Sequence, residues 1–334
     1  SIFVMLMIVA GVSLYLVAAH LIATGSLDSG QLFALMYYLC HAIFSIMLFC
    51  TVFMMYPRAE VSAKRIEEVF NLDPIIKNKP ADSDFDEKVS IEFDHVTFVY
   101  PDGEEPVLQD VSFKANKGEM IAFIGSTGSG KSTLVNLVPR FYDVSSGSIK
   151  INGKDIRDYD VLELRDKLGV IPQKAVLFSG TIADNIRFGK KDASDEEVEY
   201  AAKVAQAYPF IMEKENGFDE EISEGATNVS GGQKQRLSIA RALVRKAQIY
   251  IFDDSFSALD FKTDAILRAE LKKETADAIV LIVAQRIGSI MEADKIIVLD
   301  EGKVVGCGKH KELLKSCSVY KEIALSQLTE EELA

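Results

Sequence analysis

The sequence predicts an α-helical transmembrane segment, two spans of a larger helical bundle, followed by an α/β domain with a largely parallel sheet. Three observations carry this expectation. The first 57 residues contain a single charged side chain, Asp28, although charged residues make up 26% of the chain. From Ile91 onward short β-rich runs alternate with helical stretches, the pattern of parallel strands joined by helices. A glycine-rich octapeptide, Gly125 to Ser132, stands between one such strand and one such helix, the context in which a phosphate-binding loop works.

With 334 residues, the chain suggests about two domains at roughly 150 residues each. The formal net charge of −13 falls almost entirely after Arg58. Neutralising a phosphate backbone needs clustered Lys and Arg, so no nucleic-acid partner is expected. The four cysteines, Cys40, Cys50, Cys307 and Cys317, form two distant pairs without CxxC spacing, which indicates neither a zinc site nor a disulfide framework. No charged region precedes the first apolar run, as a signal peptide requires. Lacking an initiator Met, the sequence reads as shortened on its N-terminal side.

Ile2 to Thr24 and Leu32 to Met55 are free of charge, and each is long enough at ~1.5 Å per residue to cross a hydrocarbon layer of ~30 Å. The connector Gly25 to Gln31 lacks Lys and Arg, whereas Arg58, Lys64 and Arg65 follow the second run. The positive-inside rule therefore places the connector outside and the remainder in the cytoplasm. The competing reading, two buried helices of a soluble protein, fits poorly because core helices seldom run so long without charge. Two helices cannot enclose a substrate pathway, so further spans must come from additional sequence, a partner chain or both. His41, near the middle of the second span, either marks a pathway or bonds a neighbouring helix.

Arg58 to Phe70 reads as an amphipathic helix continuing out of the membrane, with Ala59, Val61, Ile66, Val69 and Phe70 set among charges. Asn71 to Lys88, with two prolines and five acidic residues, reads as a linker. Strands are expected near Ile91–Phe98, Ile121–Ile124, Val170–Pro172, Ile249–Asp253, Ile279–Ala284 and Ile296–Leu299, and a helix over Thr133–Arg140. No internal repeat is evident.

In the octapeptide Gly125-Ser126-Thr127-Gly128-Ser129-Gly130-Lys131-Ser132 the glycines let backbone N–H groups turn inward around phosphates, and the helix that follows adds its dipole. Lys131 is expected to reach the β- and γ-phosphates and Ser132 to ligate Mg²⁺; the nucleotide-contacting run extends to Thr133. A second apolar strand, Ile249 to Phe252, ends in Asp253-Asp254. Asp253 is placed to hold the Mg²⁺ shell, and Asp254 to orient the attacking water.

Val229-Ser230-Gly231-Gly232-Gln233-Lys234-Gln235-Arg236 resembles the signature loop of the ATP-binding-cassette (ABC) family. Ser230 can cap the helix that follows, and Gly231 and Gly232 allow close backbone approach. In that family the loop, here Ser230 to Gln233, completes the ATP site of the opposite subunit, so dimerisation is part of the chemistry. Tyr100 resembles the aromatic residue that stacks on adenine. Gln173 resembles the glutamine that contacts Mg²⁺ and couples to the membrane domain. Ser257-Ala-Leu-Asp260 resembles the loop that crosses the dimer. Leu177 to Ile182 and Arg58 to Ile66 are similar to the exporter branch. The resemblance implies that residues 1–57 are the last two transmembrane helices of a permease domain and 58–88 a cytosolic helix extension and linker. Residues 89–328 would form the nucleotide-binding domain and 329–334 an acidic tail. It implies ATP and Mg²⁺ as cofactors and the cytoplasmic membrane, by default a bacterial one, as the location.

Two positions depart from the family pattern. Asp254 stands where the family usually has Glu. One fewer methylene retracts the carboxylate by about 1.5 Å, and a misplacement of about 1 Å can cost roughly 10²-fold in rate. Gln285 stands where the family's switch-loop histidine is expected. An amide can hydrogen-bond a γ-phosphate but cannot become cationic or relay a proton. Both changes fall on the ATP site built on this chain's own phosphate loop, while the signature loop keeps its pattern. The expectation is therefore a heterodimer in which this subunit binds ATP, hydrolyses it weakly and completes a competent partner site. A homodimeric active exporter and an ATP-gated, channel-like subunit are the alternatives. A soluble cassette ATPase acting on DNA or the ribosome would need no spans and usually carries basic surface. The other expected partners are membrane lipid and a transported drug, lipid or peptide.

Overall fold

The computed structural model describes residues 2–78 and 89–329. Residues 79–88 of the linker and the tail from 330 onward lie outside them. The chain divides into two compact units, Ser1–Pro74 and Ile75–Ala334.

The first unit is a helix pair, α1 (Ile2–Ala23) and α2 (Ser29–Phe70). Asp28 starts α2 through a capping box: its carboxylate accepts from the Gly30 N–H, and the Gln31 side chain accepts from the Asp28 N–H at 3.0 Å. The helix then runs through Pro57 without a break, at the loss of one backbone hydrogen bond. Its 42 residues reach roughly 60 Å, so the charged stretch after Arg58 extends it past an apolar layer of about 30 Å. Both helices are long and apolar enough to cross a membrane. No described side chain of α2 is buried, unlike the core helices of a soluble unit. Within α2, His41 bonds the Tyr37 carbonyl through Nδ1 at 3.3 Å and packs on the Tyr37 ring.

The second unit opens with β1 (Ser90–Phe98), β2 (Leu108–Asn116) and β3 (Met120–Gly125), then α3 (Lys131–Leu137), β4 (Ser146–Ile151) and β5 (Lys154–Asp155). Next come α4 (Val161–Asp166), β6 (Leu168–Ile171), β7 (Gly180–Thr181), α5 (Ile182–Arg187), α6 (Asp195–Val204), α7 (Tyr208–Met212) and β8 (Glu221–Ile222). The remainder comprises α8 (Gly231–Leu243), β9 (Ile249–Asp253), α9 (Phe261–Glu274), β10 (Ile279–Val283), β11 (Lys295–Asp300), β12 (Lys303–Gly308), α10 (His310–Ser316) and α11 (Ser318–Leu325).

Six strands form the central sheet in the order β12-β11-β3-β10-β9-β6. All its pairings are parallel except that of the edge strand β12 with β11. A parallel sheet is covered on both faces, so its strands are apolar throughout rather than alternating. Accordingly Ile121 and Phe123 of β3 enter one core while Ala122 and Ile124 enter the other, and Ile249/Ile251 and Tyr250/Phe252 of β9 divide in the same way. Full burial of a side chain such as Phe123, which meets Phe113 edge-on at 5.4 Å, contributes about 1.5–3 kcal/mol.

A second, antiparallel sheet, β2-β1-β4-β5, closes one of these cores. Most of it goes beyond the strands read from sequence. β2 buries alternate residues only, so its apolar positions are interrupted by Gln109, Asp110, Ser112 and Lys114 and carry a weaker signal. The helix expected to reach Arg140 stops at Leu137, and Arg140 itself takes a left-handed φ of 52°.

Candidate functional site

The loop after β3 lies where parallel strands present their C-terminal ends, the place where open α/β sheets hold ligands. Gly125 ends β3 so close to its neighbour that an added Cβ would run into the Leu299 carbonyl of β11. Gly130 has a left-handed φ of 95° and caps α3 without a side chain. A Cβ there would meet the Val107 carbonyl at 2.9 Å. The first-turn N–H groups of α3 are thus left for an anionic ligand.

Lys131 is folded onto its own loop, donating from Nζ to the carbonyls of Gly125 at 2.9 Å and Ser126 at 2.6 Å and to Ser129 Oγ at 3.3 Å. Ser129 is buried beneath the loop. Ser132 Oγ donates to Asp253 Oδ1 at 2.7 Å, which brings together two hard oxygen atoms from α3 and the end of β9. Asp254, next to it, has a left-handed φ of 47° and donates its N–H to the Val283 carbonyl at 3.0 Å. A non-glycine residue held there is strained, and such strain concentrates at functional sites.

The Asp254 carboxylate receives two amides on one oxygen. Gln173 Nε2 donates to Oδ2 at 3.1 Å and Gln285 Nε2 donates to the same Oδ2 at 2.6 Å. Burial pushes both Asp253 and Asp254 above the ordinary carboxylate range. The Ser132 hydroxyl and Lys131 counteract this at Asp253, while the neighbouring Asp254 charge adds to it. At Asp254 the Gln173 amide, the Ser257 hydroxyl and Lys131 pull the other way. Burial lowers the Lys131 ammonium against the attraction of the two aspartates. Losing water disfavours each charge, so each is tuned by the others.

These groups surround a cavity of about 540 Å³ lined by Gly125 to Gly128, Gly130 to Thr133, Gln173, Asp254 and Gln285. Val283, from the expected strand Ile279–Ala284, also lines it, as do Val107, Ile323 and Gln327, which belong to no motif or strand read from the sequence; the last two come from α11 and just beyond its end. Tyr100 stands beside the cavity rather than on its wall: its hydroxyl meets Thr133 Oγ1 at 3.0 Å and its ring packs edge-on against Tyr142.

The signature-like loop is separate from this cavity. Ser230 caps α8 in a capping box, accepting from the Gln233 N–H at 3.3 Å while Gln233 Oε1 accepts from the Ser230 N–H at 2.9 Å. Gly232 lies against the Ala258 carbonyl, 3.2 Å from where a Cβ would sit. Asp260 caps α9, its Oδ1 accepting from the Thr263 N–H at 2.9 Å, and that bond is the first cause of its lowered pKa. One chain therefore presents two separate polar loops.

Residues 108–257 match the family described as ABC transporter. With the parallel sheet and the loop geometry, this makes the second unit an ABC-type α/β nucleotide-binding domain preceded by a helical region. Among similar proteins are an ABC transporter ATP-binding protein of Mycobacterium tuberculosis, 40% identical across 92% of this chain and 53% of its own length, and YfiB of Bacillus subtilis, 41% identical across 94% and 54%. A Staphylococcus aureus protein named for multidrug export as an ATP-binding/permease protein is 46% identical across 70% of this chain and 40% of its own. A solved bacterial Atm1-family ABC exporter with ATP bound superposes with a TM-score of 0.81 at 30% identity, covering 98% of this chain and 58% of that one. The chain spans about half the length of the curated relatives it matches.

Proposed function

We propose that this chain is the C-terminal part of one subunit of an ATP-driven exporter. Residues 1–57 would be the last two helices of its permease domain, 58–88 an extension and linker, and 89–328 its cytoplasmic nucleotide-binding domain, with an acidic tail at 329–334. The observation that carries the reading is the convergence on one cavity of the phosphate loop, of Ser132, whose hydroxyl bonds Asp253, and of Asp254.

In this reading Lys131 leaves its loop carbonyls for the β- and γ-phosphates, and the α3 N–H groups hold the phosphate oxygens. Tyr100 stacks on the base. Among the described residues no group of three or more His, Cys, Asp or Glu could hold a metal by itself. That suits Mg²⁺, which takes one or two protein oxygens and completes its shell with phosphate and water. Ser132 and Asp253, with Gln173, would hold it, and it would neutralise charge developing on the phosphates. Asp254 orients the water that attacks the γ-phosphate. With a side chain one methylene short of glutamate, and an amide at Gln285 that cannot carry a proton, it does so weakly. Ser230 to Gln233 and Asp260 face a second subunit and complete the site there. A heterodimer follows, because a symmetric pair would carry the weak site twice.

The substrate class is a drug, lipid or peptide that partitions into the membrane. Flux of a fluorescent amphiphile into inside-out vesicles of the full-length transporter tests the reading. ATP-dependent accumulation against a gradient is expected; nucleotide-dependent equilibration without accumulation would favour the channel-like reading, to which the weakened Asp254 and Gln285 also lend themselves.

A further inference from the structure

Gln327, two residues beyond the end of α11, lines the cavity and holds the loop that follows β10. Its Oε1 accepts from the Ile287 N–H at 2.8 Å, and its Nε2 donates to the Gln285 carbonyl at 2.7 Å. One side-chain amide thus closes on two backbone groups that flank Arg286, as a strand neighbour would. The loop held in this way carries two functional contacts. The Gln285 side chain donates to Asp254 Oδ2 at 2.6 Å, and Arg286 Nη2 donates to the Ser257 carbonyl at 3.3 Å. Ser257 Oγ in turn donates to the Asp254 carbonyl at 2.9 Å. Two chains of hydrogen bonds therefore leave Gln327 and meet at Asp254.

Gln327 is itself anchored. Tyr320 and Ala324 of α11 are buried, Leu328 packs against the core, and the Gln327 N–H donates to the Ala324 carbonyl at 3.1 Å. Moving the end of α11 would move the loop after β10 with it.

We propose that Gln327 is a positioning residue for ATP turnover at this chain's own site. It fixes the loop at Gln285–Ile287 so that the Gln285 amide reaches Asp254, and it makes the C-terminal helix a wall of the ATP cavity that sets the rate. The inference rests on the reading of this cavity as an ATP site.

The test is single-turnover ATP hydrolysis by the full-length transporter, with the partner subunit's own site disabled at its phosphate-loop lysine. Rate and half-saturating ATP concentration are measured for wild type, Gln327→Ala and Gln327→Glu. Gln327→Ala should slow the rate about tenfold with the half-saturating ATP concentration unchanged within about twofold. Gln327→Glu keeps the acceptor for Ile287 but not the donor to Gln285, and should fall between. If the rate in Gln327→Ala stays within about twofold of wild type, or if rate and affinity fall together in both variants, Gln327 is not a positioning residue and the inference is overturned. A wild-type site that neither binds nor hydrolyses ATP would overturn the ATP-site reading itself and the inference with it.

Discussion

Asp254→Glu combined with Gln285→His is expected to raise ATP turnover at this chain's own site by about 10²-fold. The first change moves the carboxylate outward by about 1.5 Å, toward the water it must orient. The second replaces the amide now donating to Asp254 Oδ2 at 2.6 Å with an imidazole that can also donate a hydrogen bond and, unlike an amide, can carry a proton. Neither substitution acts alone, because both side chains meet at one oxygen; the two effects should exceed the sum of the single variants. The check is ATP hydrolysis by the full-length subunit carrying each single change and both. A double variant no faster than wild type would show that something other than these two residues limits the site.

Lys131→Ala should abolish productive nucleotide binding. Among the described residues Lys131 is the one cation on the cavity wall, and it faces two carboxylates whose pKa values burial raises. Removing it leaves the phosphates without a positive partner, and turnover is expected to fall by about 10²–10³-fold. ATP affinity should fall with it, in contrast to the Gln327 variants. The substitution also removes three hydrogen bonds within the loop, so thermal unfolding with and without ATP separates the two effects. Unaltered ATP affinity in Lys131→Ala would remove the phosphate loop from the mechanism.

The elements that carry the site were legible because their physics is local. Strands β3, β9 and β10 are buried on both faces, so they appear as unbroken apolar runs. The phosphate loop announces itself through glycines that its backbone path requires, of which Gly125 and Gly130 are the clearest. The antiparallel sheet was less legible, because β2 alternates buried residues with Asp110, Ser112 and Lys114 on its open face. The sequence has no local signal for the shared acceptor at Asp254: Gln173, Asp254 and Gln285 come from three segments, and only the sheet order β10-β9-β6 brings the segment ends together. Gln327 was not legible at all. It lies in a polar stretch, Ser326-Gln327-Leu328-Thr329, and acquires its role only where the end of α11 reaches the loop after β10.

The most direct test of the account is steady-state ATP hydrolysis by the full-length subunit, purified alone and then assembled with its partner. The account predicts ATP binding in both preparations and turnover only in the second. Brisk hydrolysis by the lone subunit would contradict it, showing Asp254 and Gln285 to be adequate as they stand and the transporter to work as a pair of identical chains.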